Sequence, residues 1–160
     1  MDKDEEPRIL VMKSGLPKGN NLSSMPTEQL KDFHWVRANL FHYWEGGDWR
    51  VVKGYGPVYK SKPECEWDYE AECDDENQRI YIAPESSKLS SKNKIRELFV
   101  HEISHAVSGS SSHKEEAGSK WPNEMARAAE RARGIGEHEL ADLIEKDREE
   151  WMNTEEEITP

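Results

Sequence analysis

His101-Glu102-Ile103-Ser104-His105 sets two histidines four residues apart in a stretch that reads as one helix. At that spacing both imidazoles leave the same helical face. Ser90 or Ser91 can cap the N-terminus and Gly109 can stop the helix. Between them Ile95, Leu98, Phe99, Ile103 and Ala106 fall on one apolar arc. At about 100° per residue, Glu102 lands inside that arc, and the two histidines flank it beside Leu98. A carboxylate aimed at a core is costly unless it is paired or linked to a metal. A purely structural helix, with two satisfied histidines and a buried ion pair, gives no reason for that placement. A site in which two neutral imidazoles grip one Zn²⁺, with Glu102 beside the ion as general base, does.

The rest of the chain reads as one domain over residues 1–160, with a core from about 8 to 151. Leu, Ile, Val and Phe number 27, and with a net charge of −11 that composition alone suggests disorder. Six tryptophans and five tyrosines offset it, because a large ring buries more area than an aliphatic side chain. Met1–Glu6 and Thr154–Pro160 are charge-rich and aperiodic, and are expected to be solvated ends. The acidic balance argues against a nucleic-acid partner, which needs a cationic stripe. Lys88, Lys92, Lys94 and Arg96 read as a solvated helix start. No apolar run approaches spanning length and no signal peptide is visible, so a cytoplasmic protein without a membrane partner is expected. Cys65 and Cys73 match no zinc spacing and lie too far apart on one strand to bridge, so two free thiols are expected.

Periodicity predicts an α+β fold: an N-terminal helix, a short antiparallel or mixed sheet, the H-E-x-x-H helix and two C-terminal helices. Arg8–Met12 suggests an edge strand. Leu30, Phe33, Val36, Leu40 and Trp44 mark a first helix that Gly46-Gly47 ends. His34 and His42 on it read as surface or core-edge residues. Strands are predicted over Trp49–Tyr55, Glu64–Cys73 and Arg79–Ala83, with Asp74–Gln78 as a hairpin turn joining the last two. The second strand alternates Cys65, Trp67, Tyr69, Ala71 and Cys73 with Glu66, Asp68, Glu70 and Glu72, so one face is expected in the core and an acidic one in water. Trp121–Arg133 follows as a helix with Pro122 in its first turn and Met125, Ala128, Ala129 and Ala132 on one face. After Gly134-Ile135-Gly136 a last helix carries Leu140, Leu143, Ile144 and Trp151.

A catalytic zinc keeps three protein ligands and an open position. His113 is one candidate for the third ligand; Glu115, Glu116, Glu124 and Glu130 are the carboxylate candidates. Ser at 108 and 111 breaks the pattern H-E-x-x-H-x-x-G-x-x-H, which argues against a metzincin.

The run RELFVHEISHAVSGSSSH (96–113), then SKWPNEMARAAERA (119–132) and GIGEHELADLI (134–144), resembles the SprT-like metallopeptidases, most of all the short bacterial and phage members. The likeness covers about Arg79 to Glu145. It implies a small zincin-like domain and a zinc-dependent endopeptidase acting on protein or peptide. It also implies His101, His105 and His113 as zinc ligands, Glu102 as base, and Trp121 and Met125 as packing beneath the site. The chain departs from the family where His113 and Trp121 stand eight apart rather than about four, with Lys114–Gly118 as an apparent insertion; Glu116 and then Glu124 are the next choices for the ligand. It lacks the zinc ribbon and basic tail of DNA-associated relatives. In such a site Glu102 takes the proton of a zinc-activated water and delivers it to the leaving amine. Tyr81 and His138 are candidates to assist the oxyanion, though packing roles suit both, and Arg79–Ala83 is a strand that could hold an extended peptide. The alternative is a catalytically silent zinc-binding domain that recognises a protein partner.

Overall fold

The computed structural model describes residues 8–9, 23–24, 27–45, 49–57, 71–83, 87–109, 113 and 120–153. The architecture is α+β. Two short strands, β1 (Arg8–Ile9) and β2 (Ser23–Ser24), precede helix α1 (Thr27–Leu40). Strands β3 (Arg50–Lys53), β4 (Ala71–Asp74) and β5 (Arg79–Ile82) follow. A 3₁₀ turn at Ser87–Ser90 leads into α2 (Lys92–Ser108), and α3 (Trp121–Gly134) and α4 (His138–Asn153) complete the fold.

β5 lies between β3, to which it is parallel, and β4, to which it is antiparallel. The other edge of β3 is shared by β1, parallel beside Arg50 and Val51, and β2, antiparallel beside Val52 and Lys53. The β4–β5 hairpin forms where the sequence predicts it. The Asp74 carboxylate accepts from the Asn77 backbone at 3.2 Å and from its side chain at 2.9 Å, and Gln78 takes a left-handed φ of 54° to re-enter the sheet.

The expectation for Arg79–Ala83 as a peptide-holding strand is corrected by this order. Ile82 stands between Lys53 and Ala71, and its carbonyl accepts from the Gly54 N–H at 2.8 Å. Among the described residues, β4 forms one edge of the sheet and the short β1 and β2 form the other. Nor is the acidic face of that strand wholly in water, because Glu72 is buried. Its carboxyl packs where a Cβ on Gly56 would come within 2.5 Å, so the absent side chain at 56 is what gives it room. Cys65, Glu66, Asp68 and Glu70 lie outside the described residues.

α1 ends at Leu40, short of the expected Trp44. The Trp44 N–H bonds the Phe41 carbonyl at 2.9 Å in a tight turn. That turn sinks Phe41 into the core and packs Trp44 on Trp49, with centroids 5.6 Å apart, while His42 faces water and the partly exposed Tyr43 turns its hydroxyl to Glu124. Aromatic burial outweighs another helical turn here.

α2 is the centre of the molecule. The Ser91 Oγ accepts from the Lys94 N–H, and Gly109, at φ 67°, bonds the His105 carbonyl to close the helix. Every residue from Ile95 to His105 is buried, so the helix is enclosed rather than merely amphipathic. It packs on α1, α3, α4 and β4. Arg96 therefore departs from the solvated role expected of it. It is buried, bonds Asp32 at 2.9 Å, and holds its guanidinium 3.8 Å from the centre of the Trp35 ring. Lys92 and Lys94 are exposed, as expected.

α3 and α4 form a hairpin in which Ala128, Ala129 and Ala132 let the helices approach closely, facing Leu140, Ala141 and Ile144. Leu143 and Trp151, expected on the buried stripe of α4, are half-buried, and Asp147 is buried instead. Among the described residues no helix is long and apolar enough to cross a membrane.

Phe99 lies on α2 with no exposed surface, edge-on to Phe33 at 5.2 Å. Truncating it leaves a cavity between α1 and α2. Phe99→Ala should lower unfolding stability by about 3–5 kcal/mol, read from the shift in a urea midpoint at constant slope.

Candidate metal centre

The first two histidines are placed by helix geometry alone, since α2 points His101 and His105 the same way. His113 comes from beyond Gly109, whose left-handed backbone turns the chain out of the helix. The three meet in the interior. The Nε2 atoms of His101 and His113 are 3.2 Å apart, and those of His105 and His113 are 3.0 Å apart. One ring nitrogen from each of the three lies within 4.8 Å of the other two. Three nitrogens around one tetrahedral zinc, at the usual Zn–N length, would stand about 3.3 Å apart.

The protonation pattern agrees with that spacing. The Asp147 Oδ2 lies 2.9 Å from the His101 Nδ1. A carboxylate only accepts, so Nδ1 carries the proton and the lone pair of Nε2 faces the other two rings. Burial holds His101 down to about 4, so the ring is neutral and its contact with Asp147 is a hydrogen bond rather than an ion pair. A neutral imidazole with an inward lone pair is what a metal requires.

Indole rings wall the cluster. Trp121 has no exposed surface and donates its Nε1–H to the His101 carbonyl at 3.1 Å. Its ring stacks on His105 at 24° and meets His113 edge-on at 4.6 Å. Trp151 stacks on the opposite neighbour, 4.3 Å from His113 at 25°. Met125, one turn beyond Trp121, lies in the common core.

Glu102 follows His101 directly and is buried, and its Oε1 has no hydrogen-bond partner. Burial first, then the charges of Asp147 and Glu72, push its carboxyl well above the usual range. The Glu102 Oε1 is free to accept from a polar group bound nearby. The donor set thus fits a divalent ion, and His101, His105 and His113 could hold one.

Glu97, His101 and Asp147 form a second buried group with that capacity. It suits an ion less well. The Lys88 ammonium already lies 3.0 Å from Glu97, and the His101 nitrogen on this side carries a proton. Burial, with Asp147 close by, pushes Glu97 up to about 8.

Of the carboxylate candidates, Glu124 is buried but occupied elsewhere, by the Tyr43 hydroxyl and by Arg127 at 2.9 Å. Glu130 is exposed, and Glu115 and Glu116 lie outside the described residues. The Tyr81 hydroxyl accepts from Arg79 at 3.4 Å, and His138 is exposed. His34 is half-buried against Phe33. Cys73 is a free, half-buried thiol that burial, then the charge of Glu102, pushes upward.

Asp147 is the site residue that sequence reasoning missed. Its signal was present, because it falls on the stripe of Leu140, Ile144 and Trp151, a charge misplaced in the same way as Glu102. Comparison with family models, with curated proteins and with solved structures finds no match.

Titration of the metal-free protein with Co²⁺ should show one equivalent bound in a four-coordinate visible spectrum. His113→Ala should weaken that binding by more than about 100-fold, since even outer partners of metal ligands contribute 10–100-fold. Glu124→Ala should leave it unchanged.

Proposed function

We propose that the chain is a zinc-dependent metallopeptidase of the SprT-like type, acting on protein or peptide substrates. The observation that carries this reading is the convergence of three buried imidazole nitrogens, two of them from the helix that also carries Glu102, whose buried Oε1 has no hydrogen-bond partner. His101, His105 and His113 would hold the zinc and leave a fourth position free for water or substrate. When bound there, Zn²⁺ supplies Lewis acidity and lowers the pKa of a bound water to about 7.

Glu102 is the group that moves the proton. Its buried surroundings raise its basicity above that of a solvated carboxylate, which suits it to take a proton from water and return it to a leaving amine. Neutral His101, fixed through Asp147, keeps a lone pair on the nitrogen facing the site. The edge of β4, which packs on α2, offers backbone groups to which an extended peptide could pair. A silent zinc domain is less well supported, because a structural zinc has no use for a buried carboxylate oxygen left bare on the helix that carries two of its ligands.

Glu102→Gln keeps the shape of the side chain and removes the base. It should lower peptide hydrolysis by about 10²–10⁴-fold while the protein retains one equivalent of Zn²⁺. A Gln variant with wild-type turnover on a peptide library would sink the assignment.

A further inference from the structure

We propose that α4 is a positioning element for the metal centre: Asp147 fixes which nitrogen of His101 faces the ion, and Trp151 fixes the ring plane of His113. The proposal rests on the reading that the three histidines hold a divalent cation.

Asp147 and Trp151 are four residues apart and project from one face of α4. Asp147 is 8% exposed, in a stripe that is otherwise apolar. A Leu or Ala at 147 would continue the contact of Leu140 and Ile144 with the core without desolvating a charge. What the carboxylate does provide is the 2.9 Å acceptor at the His101 Nδ1. A neutral imidazole can carry its proton on either nitrogen. With the proton on Nε2 the ring would present N–H, not a lone pair, to His113 and to any ion. Asp147 removes that choice.

His113 poses a different problem. His101 and His105 take their directions from α2, but His113 belongs to no helix or strand. Its ring is held by two indoles instead. Trp151 lies nearly parallel to it at 25° and Trp121 nearly perpendicular at 86°. One ring sets the plane and the other sets the tilt within it. Trp151 also meets His101 edge-on at 5.6 Å, so one ring of α4 touches two of the ligands. The close-packed alanines of α3 give α4 a rigid support.

The test uses the full chain and Co²⁺ as the probe, in competition with a chelator. In the wild-type protein without metal, long-range ¹H–¹⁵N spectra should show the His101 proton on Nδ1. Asp147→Asn should weaken Co²⁺ binding about 10–100-fold, the range for outer partners of metal ligands, with the metal-free melting temperature nearly unchanged. Trp151→Leu should weaken binding and broaden the cobalt spectrum, and Trp151→Phe, which keeps a stacking ring, should recover most of the loss. Wild-type affinity in both Asp147→Asn and Trp151→Leu would overturn the proposal, and so would a wild-type His101 protonated on Nε2. Should one variant fail to fold, the other and the wild-type spectrum decide. A wild-type protein that binds no Co²⁺ would instead overturn the metal reading beneath it.

Discussion

Two buried imidazole nitrogens each lie within about hydrogen-bonding distance of a third, and the rest of the structure is arranged around that fact. Lone pairs so close repel unless a proton or a cation lies between them. A proton can serve one pair of nitrogens but not three. Protonating His101 to serve the others works against burial, which holds that ring neutral down to about 4. The centre could therefore take a cation between the three rings.

The surrounding carboxyls make the same point. Glu72, Glu97, Glu102 and Asp147 are all buried, in a chain that already carries a net charge of −11. Burial raises the carboxyls of Glu97, Glu102 and Asp147, and the charge of Asp147 raises the first two further. Lys88 is the cation that the structure sets against one end of this group, at Glu97. A divalent ion at the histidines would offset the other end. Of the two clusters able to hold an ion, the one without a built-in positive charge is the three-histidine cluster, which explains why the second reads as its support.

Much of this was legible in the sequence, and for a physical reason. Helical and strand periodicities are local, so α2, α3, the β4–β5 hairpin and the misplaced Glu102 follow from spacing alone. The failures are all non-local. Trp44 looked helical because its spacing from Leu40 is helical; Trp49, beyond Gly46-Gly47, draws it away. Arg96 looked solvated because it follows three lysines, but Asp32 and Trp35 on α1 enclose it. Glu72 fitted a solvated face until Gly56 made room for it. Sheet order was beyond reach as well. That β5 is interior depends on β3 pairing with it across the intervening hairpin strand, which no short-range pattern records. Asp147 was readable in principle, since the rule that singled out Glu102 applies equally to the last helix.

The enclosure of α2 has a consequence for how the centre relates to the fold. His101 and His105 lie on the one helix that α1, α3, α4 and β4 all pack against. Moving them apart means opening the core, not swinging a loop. An ion bound there stabilises the folded chain in proportion to its affinity, because the unfolded chain does not bring residues 101, 105 and 113 together. The same buried carboxyls and facing nitrogens lie within a core in which Leu, Ile and Val from the helices and the sheet do most of the packing. In this small domain the chemistry of the site and the stability of the fold are thus set by the same residues. A carboxyl at Glu102 would be costly to a helix built only for structure.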